Sequence, residues 1–337
     1  MKQTSFSIII TCYNQSRSIR ETIESAVSQT YPARQVIVVD DASTDQSLSL
    51  LRQYEDSISV IARHDNGGAS AARNLGASIA EGDYLVFLDG DDVLLPWALE
   101  IYLCLVAAKT PKIILGSLLY FQGPTVAGSS LYFRGKTPVA NYDAVPSEIA
   151  IVEYDYLMNK DRPYRACASA IVVDRGAFEA VNGWTEAIFP ADDYDLMLKL
   201  GYSGRAIQIE SPATVCYRIH AENTMRQVPR CTSMLCRVIE KAQTGLYAGG
   251  WRGRLDAYAF LGGPVLFWLR KALRARCYTA AFDLCSRSLP LIVVAVLRRQ
   301  IAVIKGRHPV EVLPGPLGGQ RAGVDMVAEP QCGENIT

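Results

Sequence analysis

The chain has 337 residues, 49% of them apolar and 20% charged, the balance of a globular protein with enough length to bury a sizeable core. Its 34 Lys/Arg and 34 Asp/Glu cancel formally, and no nucleic-acid partner is expected. The cancellation is uneven: residues 251–308 hold eleven Lys/Arg against Asp256 and Asp283 alone, a net of +9, while 309–337 carry −3 and the first 250 residues −6.

The first hundred residues alternate short apolar runs with helical patterns, as a parallel sheet requires. Residues 6–11 (FSIIIT) read as a buried strand. In the helix that follows, Ser18 and Glu21 stand at capping-box spacing, and Ile19, Ile23, Ala26 and Val27 share one face before Pro32. Residues 35–39 (QVIVV) form a second strand that stops at Asp40-Asp41; the next helix has Ser43 and Gln46 at capping-box spacing, with Leu48 and Leu51 inward. Residues 59–62 are a third strand, Asn66-Gly67-Gly68 a turn and 69–80 a small-residue helix. A fourth strand at 84–88 (YLVFL) runs into Asp89. Beyond 110 the pattern loosens. Residues 113–120 and 170–173 read as strands, 122–145 as a loop or hairpin, 192–200 as a helix and 213–219 as a closing strand. The Pro- and Gly-rich stretch 309–337 is expected to be a disordered tail.

Ligands of open α/β sheets bind beyond the carboxyl ends of the strands. Three polar clusters stand at such ends: Thr11-Cys12-Tyr13-Asn14, Asp40-Asp41-Ala42-Ser43 and Asp89-Gly90-Asp91-Asp92. The last packs three carboxylates into four residues, which repel one another unless a cation or hydrogen bonds hold them. Few, hard oxygen ligands suit Mg²⁺ or Mn²⁺ with positions left open for a diphosphate. Asp92 alone, ahead of Pro96, fits a helix cap equally well. At the second cluster a carboxylate either caps the next helix or accepts from a nucleobase or ribose, and the residues leave both open. Arg73, after the Asn66-Gly67-Gly68 turn, can aim a guanidinium at phosphate. No Gly-x-Gly-x-x-Gly opens the first helix, so a dinucleotide dehydrogenase is unsupported.

Residues 7–14 (SIIITCYN), 38–45 (VVDDASTD), 66–76 (NGGASAARNLG) and 81–92 (EGDYLVFLDGDD) together resemble glycosyltransferase family two, in order and in spacing. The resemblance extends through 168–186 (ASAIVVDRGAFEAVNGWTE), the acidic run at 191–196 (ADDYDL) and 217–220 (YRIH), covering about residues 5–225. It implies a GT-A fold: a Rossmann-like, mostly parallel α/β sheet flanked by helices, here with a C-terminal helical extension. The function it implies is inverting transfer of a sugar from a nucleoside-diphosphate sugar, most simply a UDP-sugar, to a glycan or lipid-linked acceptor in surface-polysaccharide or glycoconjugate synthesis.

Carried over by position, Thr11, Tyr13 and Asp41 would hold the nucleoside, with Asp40 beside them and Arg73 near the base or diphosphate. Asp91 would bind the divalent metal, with Asp89 as its ribose or metal neighbour. Asp193 would be the catalytic base, although Asp192 replaces the family's usual Glu and leaves the choice between the two less fixed. His220 either joins the metal or diphosphate or is a hydrogen-bonded strand end. Cys12 stands where the family commonly has Pro. A nucleotidyltransferase should show a basic Gly-rich loop after the first strand, and Thr11-Cys12-Tyr13-Asn14 lacks one. Asp41, Asp91 and Asp193 together argue against a non-catalytic sugar-nucleotide sensor.

The expected organisation is a catalytic domain over 1–225, with a nucleotide-sugar half to 110 and an acceptor half after it, then a basic helical extension over 226–308. Within 251–308 the two longest uncharged runs have 13 residues (257–269) and 10 (288–297), too short for a conventional membrane span. With Trp268 and the flanking arginines they fit either an anionic membrane surface or a subdomain packed on the catalytic domain. Nine cysteines without regular spacing and no recognisable signal peptide point to a reducing, cytoplasmic setting, peripheral to the membrane if the first alternative holds.

Overall fold

The computed structural model describes residues 3–127, 129, 131–133, 137–139, 145–159, 167–305 and 308–316. Its strands are β1 Phe6–Cys12, β2 Gln35–Asp40, β3 Ser59–Ala62, β4 Tyr84–Asp89, β5 Val93–Leu94, β6 Ile113–Leu115, β7 Leu118–Phe121, β8 Leu131–Phe133, β9 Thr137–Val139, β10 Glu148–Tyr154, β11 Ile171–Asp174, β12 Ala206–Ser211, β13 Val215–Arg218 and β14 Glu311–Pro314. The helices are α1 Ile19–Val27, α2 Ser47–Leu51, α3 Ala69–Ser78, α4 Ala98–Lys109, α5 Arg175–Ala180, α6 Asp192–Lys199, α7 Val228–Gln243, α8 Gly250–Arg274 and α9 Tyr278–Lys305.

A nine-stranded mixed sheet runs β14-β10-β12-β6-β11-β4-β1-β2-β3, and a second sheet runs β5-β13-β7-β8-β9. The parallel block β4-β1-β2-β3 is the one the apolar runs predict. Its three inner strands β4, β1 and β2 are buried on both faces, so they carry nearly continuous Ile, Val, Leu and Phe, while the edge strand β3 is only partly buried. In register Thr11 stands opposite Asp89 and Cys12 opposite Asp40, which brings the first two polar clusters and the third to one edge.

Two expectations about the strands change. The run 113–120 is two strands, because the chain leaves the large sheet at Gly116-Ser117 and β7 pairs with β13 in the second. A Cβ on Gly116 would lie 2.5 Å from the Thr214 hydroxyl, so the crossing point has no room for a side chain. The tail expected from 309 begins instead with β14, which pairs antiparallel with β10 and fixes the large sheet's edge; residues 317–337 lie outside the described residues.

Neither capping box forms. Ser18 makes no capping bond and gives its hydroxyl to the Gly90 carbonyl, while Glu21 reaches Arg218. The second helix starts at Ser47 and not after Ser43, whose hydroxyl accepts from the Asn14 N–H. In both cases contacts distant in sequence won over local ones.

The C-terminal helices pack on the large sheet and its helices. Val228, Leu235 and Ile239 of α7, Leu261, Val265 and Trp268 of α8, and Leu284 and Leu291 of α9 share one buried cluster with Ile9, Phe87 and Leu196. Trp268, a candidate for the membrane surface on sequence grounds, is 2% exposed and lies inside.

Candidate active site

The Asp89–Asp92 turn is gripped from three sides. Thr22 of α1 donates its hydroxyl to the carbonyls of Gly90 (3.0 Å) and Asp92 (2.8 Å), and Ser18 donates to Gly90 as well (3.0 Å). A Cβ on residue 90 would lie 2.7 Å from the Thr11 carbonyl, so only glycine lets the turn approach β1. From β13, Arg218 donates its N–H to Asp92 Oδ1 (3.0 Å) and its Nε to the Asp91 carbonyl (2.8 Å). The rest of that buried guanidinium reaches Glu21 (2.6 Å) and the carbonyls of Gly123 and Pro124.

The three acids of the turn consequently do different things. Asp92 is 1% exposed and accepts from the Ser169 hydroxyl, so it neither caps a helix nor faces a ligand. Burial, with Asp91 and Asp89 close by, holds its carboxyl well above the usual carboxylate range. Asp89 accepts from Thr11 (3.3 Å) and from Arg73 Nη2 (2.6 Å). Asp89 and Asp91 share the open side of the turn, their side chains 30% and 18% exposed, and His220 Nε2 lies 2.8 Å from Asp91 Oδ2. That hydrogen bond raises the imidazole pKa above its ordinary value.

Arg73 does not lie open to a diphosphate. It is 2% exposed and bridges Asp89 to Asp192 Oδ2 (2.8 Å), with its guanidinium 4.6 Å from the Trp184 ring centroid. Burial works against its charge, and the two carboxylates more than offset that and keep it protonated. Asp192 also accepts from Ser70 (2.7 Å). Its carboxylate is thus committed to structure, whereas Asp193 accepts from the Tyr194 N–H (2.8 Å). Asp193 keeps some contact with solvent from a deep recess, where desolvation and then the adjacent Asp192 push its carboxyl up to about 8.

At the ends of β1 and β2, Tyr13 is 48% exposed, while Asp41 is 3% exposed and holds the Asn66-Gly67-Gly68 turn. Its carboxylate accepts from the N–H groups of Gly67 (3.0 Å) and Gly68 (2.7 Å) and pairs with Arg63 at 3.2 Å. Of roughly four lone-pair positions on a carboxylate, those bonds leave about one for a base N–H. Gly68 sits at φ 83°, a conformation that favours glycine. Asp40 accepts from Ser43 through Oδ2, while its buried Oδ1 has no hydrogen-bond partner.

Nothing in the sequence points to Thr22, and although Ser169 and Arg218 lie within the matched segments 168–186 and 217–220, their part in holding the turn is not legible there. Sequence reasoning also missed Asp195, which is wholly buried and accepts from Thr185, Tyr247 and Lys241, tying α6 to α7 and the loop after it.

Among the described residues no group of three or more His, Cys, Asp or Glu could hold a metal by itself. The outward pair Asp91 and His220 supplies one oxygen and one nitrogen, which fits an ion that completes its shell with diphosphate oxygens and water.

Residues 7–159 match the sequence profile of Glycosyl transferase family 2. An uncharacterized glycosyltransferase of Haemophilus influenzae is 31% identical over 212 residues, spanning 62% of this chain and 67% of that one. The chain belongs to glycosyltransferase family 2. Another family relative, the Escherichia coli UDP-Glc:alpha-D-GlcNAc-diphosphoundecaprenol beta-1,3-glucosyltransferase WfaP, is 45% identical over 87 residues. That match covers 26% of this chain and 35% of the relative, so the chain spans about a third of that protein's length. In fold this family member is similar to Staphylococcus aureus TarS 1-349 in complex with UDP-GlcNAc, with a TM-score of 0.61 and 18% identity over 88% of this chain and 92% of that one. It is also similar to the mannosyltransferase PcManGT of Pyrobaculum calidifontis in complex with GDP-Man and Mn²⁺, with a TM-score of 0.55 and 16% identity over 89% and 88%.

Proposed function

We propose that this chain is an inverting, metal-dependent glycosyltransferase in which Asp193 is the base and Asp91 the chief metal ligand. The observation that carries the reading is the division of labour among five acids at one sheet edge. Asp92 and Asp192 are consumed by Ser169, Arg218, Arg73 and Ser70, and Asp89 gives one oxygen to Thr11 and Arg73, whereas Asp91 and Asp193 have no arginine partner among the described residues. One of these has a histidine beside it; the other has a pKa raised toward the range in which a carboxylate is an effective base at neutral pH.

The donor's nucleoside lies over the ends of β1 and β2, with Tyr13 as its exposed platform and the remaining acceptor position on Asp41 for its base. Asp193 takes the proton of an acceptor hydroxyl as that oxygen bonds to the anomeric carbon. The bond from that carbon to the diphosphate breaks on the opposite face, the nucleoside diphosphate leaves, and the anomeric centre inverts. A divalent ion held by Asp91 with His220 would screen the charge that builds on the departing diphosphate. Arg73 contributes from behind: it fixes Asp89 on the donor side and Asp192 on the base side with one rigid fork. A UDP-sugar donor and a lipid-diphosphate acceptor match those in the name of the relative WfaP, and the proposed reaction is then a step of surface-glycan assembly at the inner face of the membrane.

A thermal-shift screen of nucleoside diphosphates with and without Mn²⁺ tests the assignment. One nucleoside diphosphate should raise Tm more with Mn²⁺ than without, and that increment should vanish in Asp91→Ala. Failure of every nucleotide to stabilise the protein would remove the reading.

A further inference from the structure

The extension contains a surface that the active site does not use. In α9 the segment Tyr278–Leu297 is long and apolar enough, by length and composition, to cross a membrane, with a mean hydropathy of 1.8 and 22% of it buried inside the protein. Its inner side, with Ala281, Leu284, Ser288 and Leu291, packs into the core shared with α7 and α8. Its outer side is apolar as well. Tyr278, Phe282, Leu289, Val293, Val296 and Leu297 are 65, 72, 58, 59, 47 and 54% exposed. At 3.6 residues per turn these six fall within an arc of roughly 100°, shared with the exposed Thr279 and Ser286, so they form one mainly apolar stripe along the helix. Such a stripe on a water-facing helix marks an interaction surface.

The charge around the stripe identifies what it fits. Arg270 and Arg274 in the last turns of α8, and Arg276 in the connection to α9, are exposed and immediately precede Tyr278 and Phe282. The whole segment 251–308 carries a net of +9, against −6 for the first 250 residues. A second copy of the chain on this stripe would bring two such basic segments face to face. An anionic lipid surface meets both features at once: arginines at the headgroups, Phe282 and the aliphatic stripe in the acyl boundary. With one side of α9 packed on the protein, and Asp283 and Arg287 within the window, the helix suits the plane of the surface better than a span.

We propose that the outer face of α9, with Arg270, Arg274 and Arg276, docks this protein on an anionic lipid surface. The docking end is physically joined to the acceptor side of the active site. The Lys271 ammonium donates to the Met225 carbonyl in the loop after His220, and the Trp268 indole hydrogen-bonds Tyr194, the neighbour of Asp193. Docking would therefore hold the lipid surface near the entry of an acceptor, a consequence that rests on the glycosyltransferase reading although the docking itself does not.

Flotation of the full-length protein with phosphatidylcholine vesicles, with and without phosphatidylglycerol, tests this directly. The protein should float with the anionic vesicles and dissociate as salt is raised. Binding should weaken about tenfold or more in Phe282→Gln/Val293→Gln and again in Arg270→Gln/Arg274→Gln. Both variants should keep the wild-type Tm and the wild-type rate of nucleoside-diphosphate release from a soluble donor. Those two readings separate failure of docking from failure of the fold or of the active-site assignment. Absence of flotation, equal binding to neutral vesicles, or binding unaltered by both pairs of substitutions would overturn the proposal. So would release by detergent alone, as a spanning helix requires, or lipid-free dimerisation abolished by Phe282→Gln/Val293→Gln.

Discussion

Replacing Asp193 with Asn should stabilise the protein while silencing it. The side chains are nearly isosteric, and an amide oxygen can still accept from the Tyr194 N–H. What changes is ionisation. Burial raises the Asp193 pKa from 3.8 to about 8, so the folded state binds this proton more tightly than the unfolded chain does. A carboxyl of this kind contributes stability at low pH that is lost as the pH climbs from about 4 through about 8. At about 1.4 kcal/mol per pKa unit, the loss by neutral pH has an upper bound of roughly 4 kcal/mol. Partial solvent contact and relaxation of the recess bring the expected figure to about 1–3 kcal/mol. Denaturation in urea across this pH range measures it. The variant should match the wild type near pH 4 and exceed it by about 1–3 kcal/mol near pH 8. In the same range wild-type turnover should rise with pH as the base form accumulates. A stability difference that does not change with pH, or a variant less stable than the wild type near pH 8, would refute the assignment of a strained, buried carboxyl.

Three further substitutions probe the supports of the site. Arg73→Gln leaves Asp89 and Asp192 without their shared cation and should cost about 3–5 kcal/mol in urea denaturation, with Arg73→Lys recovering part of the loss. His220→Ala should weaken the Mn²⁺-dependent part of nucleoside-diphosphate binding by about tenfold or more in calorimetry and leave Tm close to wild type, because His220 is partly exposed. Thr22→Val removes the donor to the Gly90 and Asp92 carbonyls from inside the protein and should cost about 1–3 kcal/mol, with a lower apparent Mn²⁺ affinity as the turn loosens.

The sequence made the sheet edge legible for a physical reason. Strands buried on both faces must be continuously apolar, so the points where 6–11, 35–39 and 84–88 give way to Thr, Asp and Asp mark their ends unambiguously. Adjacent parallel strands then had to bring those ends together, and the register of Thr11 with Asp89 does so. The supports of the edge were hidden because they join residues far apart in the chain: Arg218 lies 126 positions from Asp92 and Asp192 lies 119 from Arg73. No local pattern records such pairs. The same long-range competition explains why Ser18 and Glu21, ideal for a capping box by spacing, serve the Asp89–Asp92 turn instead. The resemblance already favours Asp193 over Asp192 as the base, and Arg73 and Ser70 support that choice by occupying the Asp192 carboxylate, a pairing no local pattern shows. The extension followed a different logic. Its composition fits a lipid surface and a packed subdomain equally, and the structure divides the two: Trp268 goes inside, and the stripe from Tyr278 to Leu297 stays out.

The central claim is that Asp91 and Asp193 split metal binding and proton removal between them. The most direct measurement is release of nucleoside diphosphate from a matched nucleotide sugar, with and without Mn²⁺, by the wild type, Asp91→Ala and Asp193→Asn. The account predicts metal-dependent release by the wild type alone, with Asp193→Asn still binding the donor and Asp91→Ala no longer gaining from Mn²⁺. Undiminished turnover in Asp193→Asn, or release by Asp91→Ala at the wild-type rate with Mn²⁺, would contradict it.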